Sequence, residues 1–355
     1  MKTNCKYILT AFALMFVLTC CFSQKRDAVK IGIIIPMTGA GATTIEYWVN
    51  GFNLAVENLN LDNTNCRYEL IFEDCKSDPK ESVSCYKRLE LQGVKYFVVV
   101  GGQFAMAVAP MTKGKDVLLF TSADFNESIL NVTDCAFRIF PSANALGKVV
   151  SNFMYNELKV TKAATITLNT VPCLQAHDVF CSNFDKLGGS TVYEDVYDIG
   201  SYDFRNSVNK MAQKDVEGIF ITGFGISPAA FCAQMADNPK FDSIPFVGDM
   251  NLSVKSFMQN KKNDKVQVYF ADAVIDESFN TMYLHRFGES ANSYCECAYL
   301  IPNIINQARK GVMDPKNIQS QKSFLRGRVI KNEVASIYID ERGNGEMDMA
   351  IFKLQ

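Results

Sequence analysis

A chain of 355 residues with 36 Lys+Arg against 38 Asp+Glu, 48% hydrophobic and 21% charged, has the length of about two domains and is too apolar to stay disordered. Its formal charge of -2 leaves no basic excess to neutralise phosphates, which excludes general nucleic-acid binding. His177 and His285 are the sole histidines, and neither a Gly-x-Ser-x-Gly elbow nor a His-Glu-x-x-His helix occurs, so the chain reads as a non-enzyme.

The amino terminus runs Met1-Lys2-Thr3-Asn4-Cys5-Lys6, then an apolar stretch from Tyr7 to about Cys21, then Ser23-Gln24-Lys25-Arg26-Asp27. That is signal-peptide architecture, assigned to residues 1–24. No later segment reaches ~20 consecutive apolar residues, so no membrane-spanning helix is expected in the mature chain. Val17-Leu18-Thr19-Cys20-Cys21 resembles a bacterial lipoprotein box, with Thr19 or Cys20 standing where Gly, Ala or Ser is usual. Lipidation of Cys21 or Cys20 and plain cleavage near Ser23 or Gln24 both stay open. With lipid on Cys21 an odd number of cysteines remains, so at least one thiol is free. Cys75 with Cys85 or Cys66, and Cys173 with Cys181, are candidate bridges, with buried free thiols the equal alternative. The sequons at Asn126, Asn131 and Asn251 matter only in a host that glycosylates exported proteins.

Short, continuously apolar runs follow: Val29 to Ile35, Tyr68 to Phe72, Tyr96 to Val100, Val117 to Phe120 and Ala136 to Phe140. Such runs suit strands covered on both faces. Between them, Asp78-Pro79-Lys80-Glu81 carries an N-cap acid, a Pro at the first helical position and an acid three residues past the cap. After Pro141 a comparable set appears: Ala163 to Leu168, Thr191 to Tyr197, Gly218 to Thr222, Pro245 to Val247 and Val266 to Phe270. Helical segments at Leu146 to Leu158, Gln175 to Leu187 and Phe204 to Ala212 separate them. The fold class is therefore α/β, with two doubly wound parallel-sheet domains.

Beyond Ala271 the pattern changes to one long helix, Ser293 to Lys310. Ser336 to Asp340, a Gly-rich turn at Arg342 to Gly345, and Met349 to Leu354 then read as a β-hairpin. This tail is too small to fold alone and is expected to complete both earlier domains, with several crossings forming a hinge. The expected division is residues 28–141 with about 272–340 for the first domain, and 142–271 with about 346–355 for the second.

Val29-Lys30-Ile31-Gly32-Ile33 with Pro36-Met37-Thr38-Gly39, Gly51-Phe52-Asn53-Leu54-Ala55-Val56-Glu57, and Glu73-Asp74 before Ser77-Asp78-Pro79 resemble the opening of a known family. Ala107 to Pro110, Tyr202-Asp203-Phe204 before Asp215-Val216-Glu217-Gly218, and Tyr338 to Gly343 extend the likeness from about Val29 to Leu354. The family is that of type I periplasmic solute-binding proteins, in its leucine/isoleucine/valine-binding branch. The resemblance implies a ligand enclosed between two lobes, delivery to an ABC permease, a monomer and no cofactor. It places a ligand carboxylate at Gly101-Gly102-Gln103 and at Ser122-Ala123-Asp124-Phe125, where helix amino termini offer free N–H groups, although Gln103, Ala105 and Phe125 stand where Ser or Thr is common. Thr44 falls where an aromatic residue often covers the ligand, and Phe224 matches an aromatic position of the second domain. Met250 takes the place of the ammonium's counter-ion, with Asp249 one residue earlier able to supply it, or else the ligand lacks an ammonium.

A sensor of the same fold, docking on a membrane receptor when liganded, is the rival function. Neither Thr38-Gly39-Ala40-Gly41 nor Gly223-Phe224-Gly225 has the third glycine of a dinucleotide site or the lysine of a P-loop, so no nucleotide cofactor is expected. Cys173, His177 and Cys181 recur every four residues, the sharpest metal-like signal in the chain, with only Asp178 nearby as a further ligand; a bridge or a partly buried face is preferred to a metal. Cys295-Glu296-Cys297 reads as ordinary packing.

Overall fold

A computed structural model describes residues 27–62, 66–261, 266–331 and 335–354. Residues 1–26, on which the signal-peptide and lipidation expectations for Cys5, Cys20 and Cys21 fall, lie outside the described residues. Each apolar run becomes a strand. In the first half these are β1 (Asp27–Ile35), β2 (Cys66–Asp74), β3 (Tyr96–Val100), β4 (Leu118–Ser122) and β5 (Ala136–Ile139). They pair in parallel in the order β5-β4-β3-β1-β2. Every residue of β3 and β4 is buried, because helices cover both faces of the sheet. Those helices are α1 (Ile45–Asp62), α2 (Pro79–Leu91) and α3 (Gly102–Thr112). The Asp78 carboxylate accepts from Lys80 N at 2.7 Å, the N-cap that its sequence foretold.

The second half repeats the plan with β6 (Lys162–Leu168), β7 (Ser190–Tyr197), β8 (Gly218–Thr222), β9 (Phe246–Asp249) and β10 (Val268–Ala273), in the order β10-β9-β8-β6-β7. Helices α4 (Ala143–Asn152), α5 (Val171–Leu187), α6 (Arg205–Ala212), α7 (Ser227–Met235) and α8 (Lys255–Asn260) belong to this lobe. Two further helices, α9 (Glu277–Phe287) and α10 (Ser293–Lys310), return to α1. The Asn58 side chain reaches Met282 and Tyr299, and α10 is buried along almost its whole length. The short α11 (Ile318–Leu325) follows.

The tail departs from the expected hairpin. β11 (Arg328–Lys331), β12 (Ser336–Ile339) and the two-residue β13 (Asn344–Gly345) extend the first sheet to eight strands. β14 (Met349–Lys353) instead pairs antiparallel with β10 at the edge of the second sheet. β13 docks in parallel on Arg138–Ile139, which aims residues 346–348 away from β12; the Phe352 and Phe270 rings then meet at 5.6 Å. Turn chemistry marked the reversal, but the strand that returns on β12 is the short β13, and Met349–Lys353 goes on to the other sheet.

Three chain segments cross between the sheets and are tied together. Phe140 N donates to Gly345 O at 3.4 Å, Ser142 N to a Glu346 carboxylate oxygen at 3.0 Å, and Val274 N to Asp348 O at 2.8 Å. Arg138, with no exposed surface, clamps two of them, at Pro141 and at Asn344–Glu346. Its guanidinium donates to Asp124 O at 2.9 Å, Asn344 Oδ1 at 2.7 Å and Pro141 O at 2.5 Å, and lies 3.7 Å from Glu346. A buried charge is tolerated when its donors are satisfied in this way.

All the described cysteines are free thiols, so neither candidate bridge is formed. Cys173 and Cys181 stand two turns apart on α5, a rise of about 12 Å that a disulfide cannot span. Cys75 and Cys85 are buried, and burial pushes their thiols up to about 12 and about 11. Among the described residues no helix is long and apolar enough to cross a membrane.

Candidate functional site

The carboxyl ends of the parallel strands of both sheets come together beside the three crossings. On the first lobe, Gly101 N donates to Ser122 O at 2.8 Å, which locks the β3 loop to the β4 loop. The Ser122 hydroxyl donates to Ile139 O at 2.6 Å and is therefore turned to β5. Ala123 takes the left-handed conformation at φ 53, so the chain doubles back and sets Asp124 beneath Gly102. A Cβ at Gly102 would overlap that carboxylate, so glycine is required there. Asp124 is buried: one oxygen accepts from Asn126 N at 2.9 Å, and the other has no hydrogen-bond partner among the described residues. Burial raises its acid to about 6.

Aromatic rings line the junction. Phe125 packs on Phe140 at 5.3 Å, Phe140 on Tyr294 at 6.1 Å, and Tyr294 on Trp48 at 5.6 Å. Tyr294 sits on the first turn of α10, where the Asn292 side chain caps Tyr294 N and Cys295 N. Its hydroxyl donates to Asn251 Oδ1 at 2.9 Å and so joins the lobes. Alongside, Lys255 N donates to the Tyr47 hydroxyl at 3.3 Å, and the Lys255 ammonium reaches Glu46 at 3.1 Å and Glu289 at 3.2 Å.

On the second lobe Asp249 ends β9, fully buried, and accepts four hydrogen bonds. One oxygen takes the Thr222 hydroxyl and Gly223 N, both at 3.0 Å; the other takes Asn251 N at 2.9 Å and Asn251 Nδ2 at 2.8 Å. About four lone-pair positions exist on a carboxylate, so the protein's own donors fill it. Burial still raises its acid above the usual range. Gly223, at φ 152, passes so near Tyr197 that a Cβ would overlap the phenol oxygen.

The sequence-chosen residues thus form two clusters. Gly102, Ser122, Ala123 and Phe125 are contiguous on the first lobe, with Gln103 exposed at the start of α3. Asp249 joins the loop bearing Phe224, which is half-buried against the core, while Met250 is wholly buried. Thr44 ends the 3-10 turn Ala40–Thr44, half-buried just before Glu46 and Tyr47. Sequence reasoning missed Tyr47, Asn251, Lys255 and Tyr294. The Asn292 cap was a legible signal for the start of α10, but not for what its first turn would face. Cys173 leaves the Cys173/His177/Cys181 group, being buried beside Thr222 and Tyr197.

Residues 28–249 match the family model described as periplasmic binding protein. This chain belongs to that family. It is 24% identical over 346 residues to Leu/Ile/Val-binding protein homolog 1 of Brucella abortus, covering 90% of this chain and 88% of that one. It is likewise 24% identical to homolog 3 of Brucella melitensis, where the match spans 59% of this chain and only 58% of the relative. Among solved structures, LivJ of Streptococcus pneumoniae in complex with isoleucine superposes with a TM-score of 0.82 at 19% identity, over 93% of this chain and 97% of that chain. A solute-binding protein of Rhodopseudomonas palustris in complex with 3,4-dihydroxybenzoic acid also scores 0.82, at 20% identity over 93% and 94%. These likenesses establish the type I periplasmic-binding-protein fold.

Proposed function

We propose that the protein is an exported receptor that captures a small amphipathic solute between its lobes and hands it to an ABC permease, without chemical change. One observation carries the reading: the loops after β3, β4, β8 and β9 converge beside three tied crossings, with Tyr294–Asn251 and Lys255–Glu46 spanning the junction. Closure about such crossings is the usual response of two-lobed receptors to ligand.

The ligand class that suits the junction best is an amino acid. Both basic side chains there, Arg138 and Lys255, are already engaged by acids, whereas Asp124 keeps a carboxylate oxygen unpartnered. Gly102 and Gln103 at the start of α3 would take the carboxylate, Phe125 and Phe224 the apolar body, and Asp249 would act by holding the loops of Thr222, Gly223 and Asn251 in place. Relatives described as binding leucine, isoleucine and valine agree with a zwitterion; those solved with benzoic acids set the alternative. Mass spectrometry of small molecules released from the purified protein, followed by thermal unfolding with amino acids and benzoates, tests this. An amino acid should raise the midpoint with dose. A rise with benzoates alone would overturn the ligand class, and no released or stabilising solute at all would overturn the receptor.

A further inference from the structure

From the geometry on the outer face of the second lobe, we infer that His177, Cys181 and Glu194 form a binding site for a zinc-class divalent metal ion. His177 and Cys181 lie one turn apart on α5, and after the Gly188–Gly189 turn the edge strand β7 brings Glu194 alongside. His177 Nε2 stands 3.0 Å from Glu194 Oε2 and 3.4 Å from Cys181 Sγ, and all three ligand atoms lie within 4.8 Å of one another. Zinc bonds of about 2.0–2.3 Å in a tetrahedron put neighbouring ligand atoms roughly 3.3–3.7 Å apart, so small side-chain rotations suffice.

A second feature points the same way. Asp178 Oδ1 lies 3.2 Å from His177 Nδ1, on the far side of the ring. A carboxylate there holds the proton on Nδ1 and turns the Nε2 lone pair toward Cys181 and Glu194, as outer partners do for metal-bound histidines. Cys181 is also the one described cysteine that is not buried, and the Glu194 side chain is 55% exposed, so an ion has a path in. Thiolate, imidazole and carboxylate together suit zinc, cobalt or nickel rather than magnesium or calcium. The fourth position is left for water. Bound there, the ion would staple α5 to the sheet edge.

Titrating metal-free, tag-free protein with Co²⁺ tests the site with no organic solute present. We expect one equivalent to give a thiolate-to-cobalt absorption band, displaced by Zn²⁺. Cys181→Ser should abolish the band, Glu194→Gln should weaken binding, and Asp178→Asn should weaken it by about 10–100-fold. Circular dichroism of each variant verifies its fold. Absence of the band from the native protein, or its survival in Cys181→Ser, would overturn the site.

Discussion

Glu296 offers a quantitative test. It lies on the first turn of α10, 3% exposed; one carboxylate oxygen accepts from Asp276 N at 3.0 Å and the other has no hydrogen-bond partner among the described residues. Loss of water, reinforced by the nearby Asp272, raises its acid to about 7. The folded value exceeds the unfolded one near 4.5, so the stabilisation is complete below about pH 4.5 and is lost as pH rises through 7. At 1.36 kcal/mol per tenfold in the acid constant, the loss above pH 7 is on the order of 3 kcal/mol. Glu296→Gln keeps the acceptor for Asp276 N and cannot ionise. It should match the native protein at pH 4 and exceed it by about 3 kcal/mol at pH 8. With an unfolding entropy of roughly 2.1 cal/mol/K per residue, that is about 4 °C in Tm. Calorimetry of both proteins across pH 4 to 8, without ligand, measures it. A Tm difference that does not change with pH, or a variant less stable at pH 8, would refute the assignment of an ionisation cost to this buried carboxyl.

Other substitutions probe the remaining steps. Asp249→Ala strands four donors in a buried site and should cost about 4 kcal/mol in chemical unfolding, with Asp249→Asn costing less; an Ala variant of native stability and native ligand affinity would remove Asp249 from the site. Arg138→Ala should cost about 3–5 kcal/mol because Glu346 and three acceptors lose their partner, whereas Arg138→Met should cost less. Gly223→Ala should lower Tm, and Tyr197→Phe in the same chain should recover part of the loss, since the added methyl meets the phenol oxygen. Lys255→Ala, at an exposed pair of ion contacts, should change stability by less than about 1 kcal/mol yet hasten ligand release if the lobes close on solute, as stopped-flow fluorescence would report.

The sequence by itself determined the strands and most helices. Continuous apolar runs such as Tyr96–Val100 and caps such as Asp78 act over a few residues, so their consequences are readable without a fold. The tertiary structure decided what each segment would meet. Met349–Lys353 read as the partner of Ser336–Ile339 but joined β10, because β11 and β13 flank β12 while the β10 edge of the second sheet takes the last strand, a matter of where distant strands end. Asp249 read as a counter-ion awaiting a ligand, and the fold surrounded it with Thr222, Gly223 and Asn251. Tyr294 and Glu194 drew no notice, since what makes each of them matter is a neighbour on another element of the fold. Local pattern fixes an element's conformation, while a site is made by groups far apart in the chain, and their meeting is a property of topology.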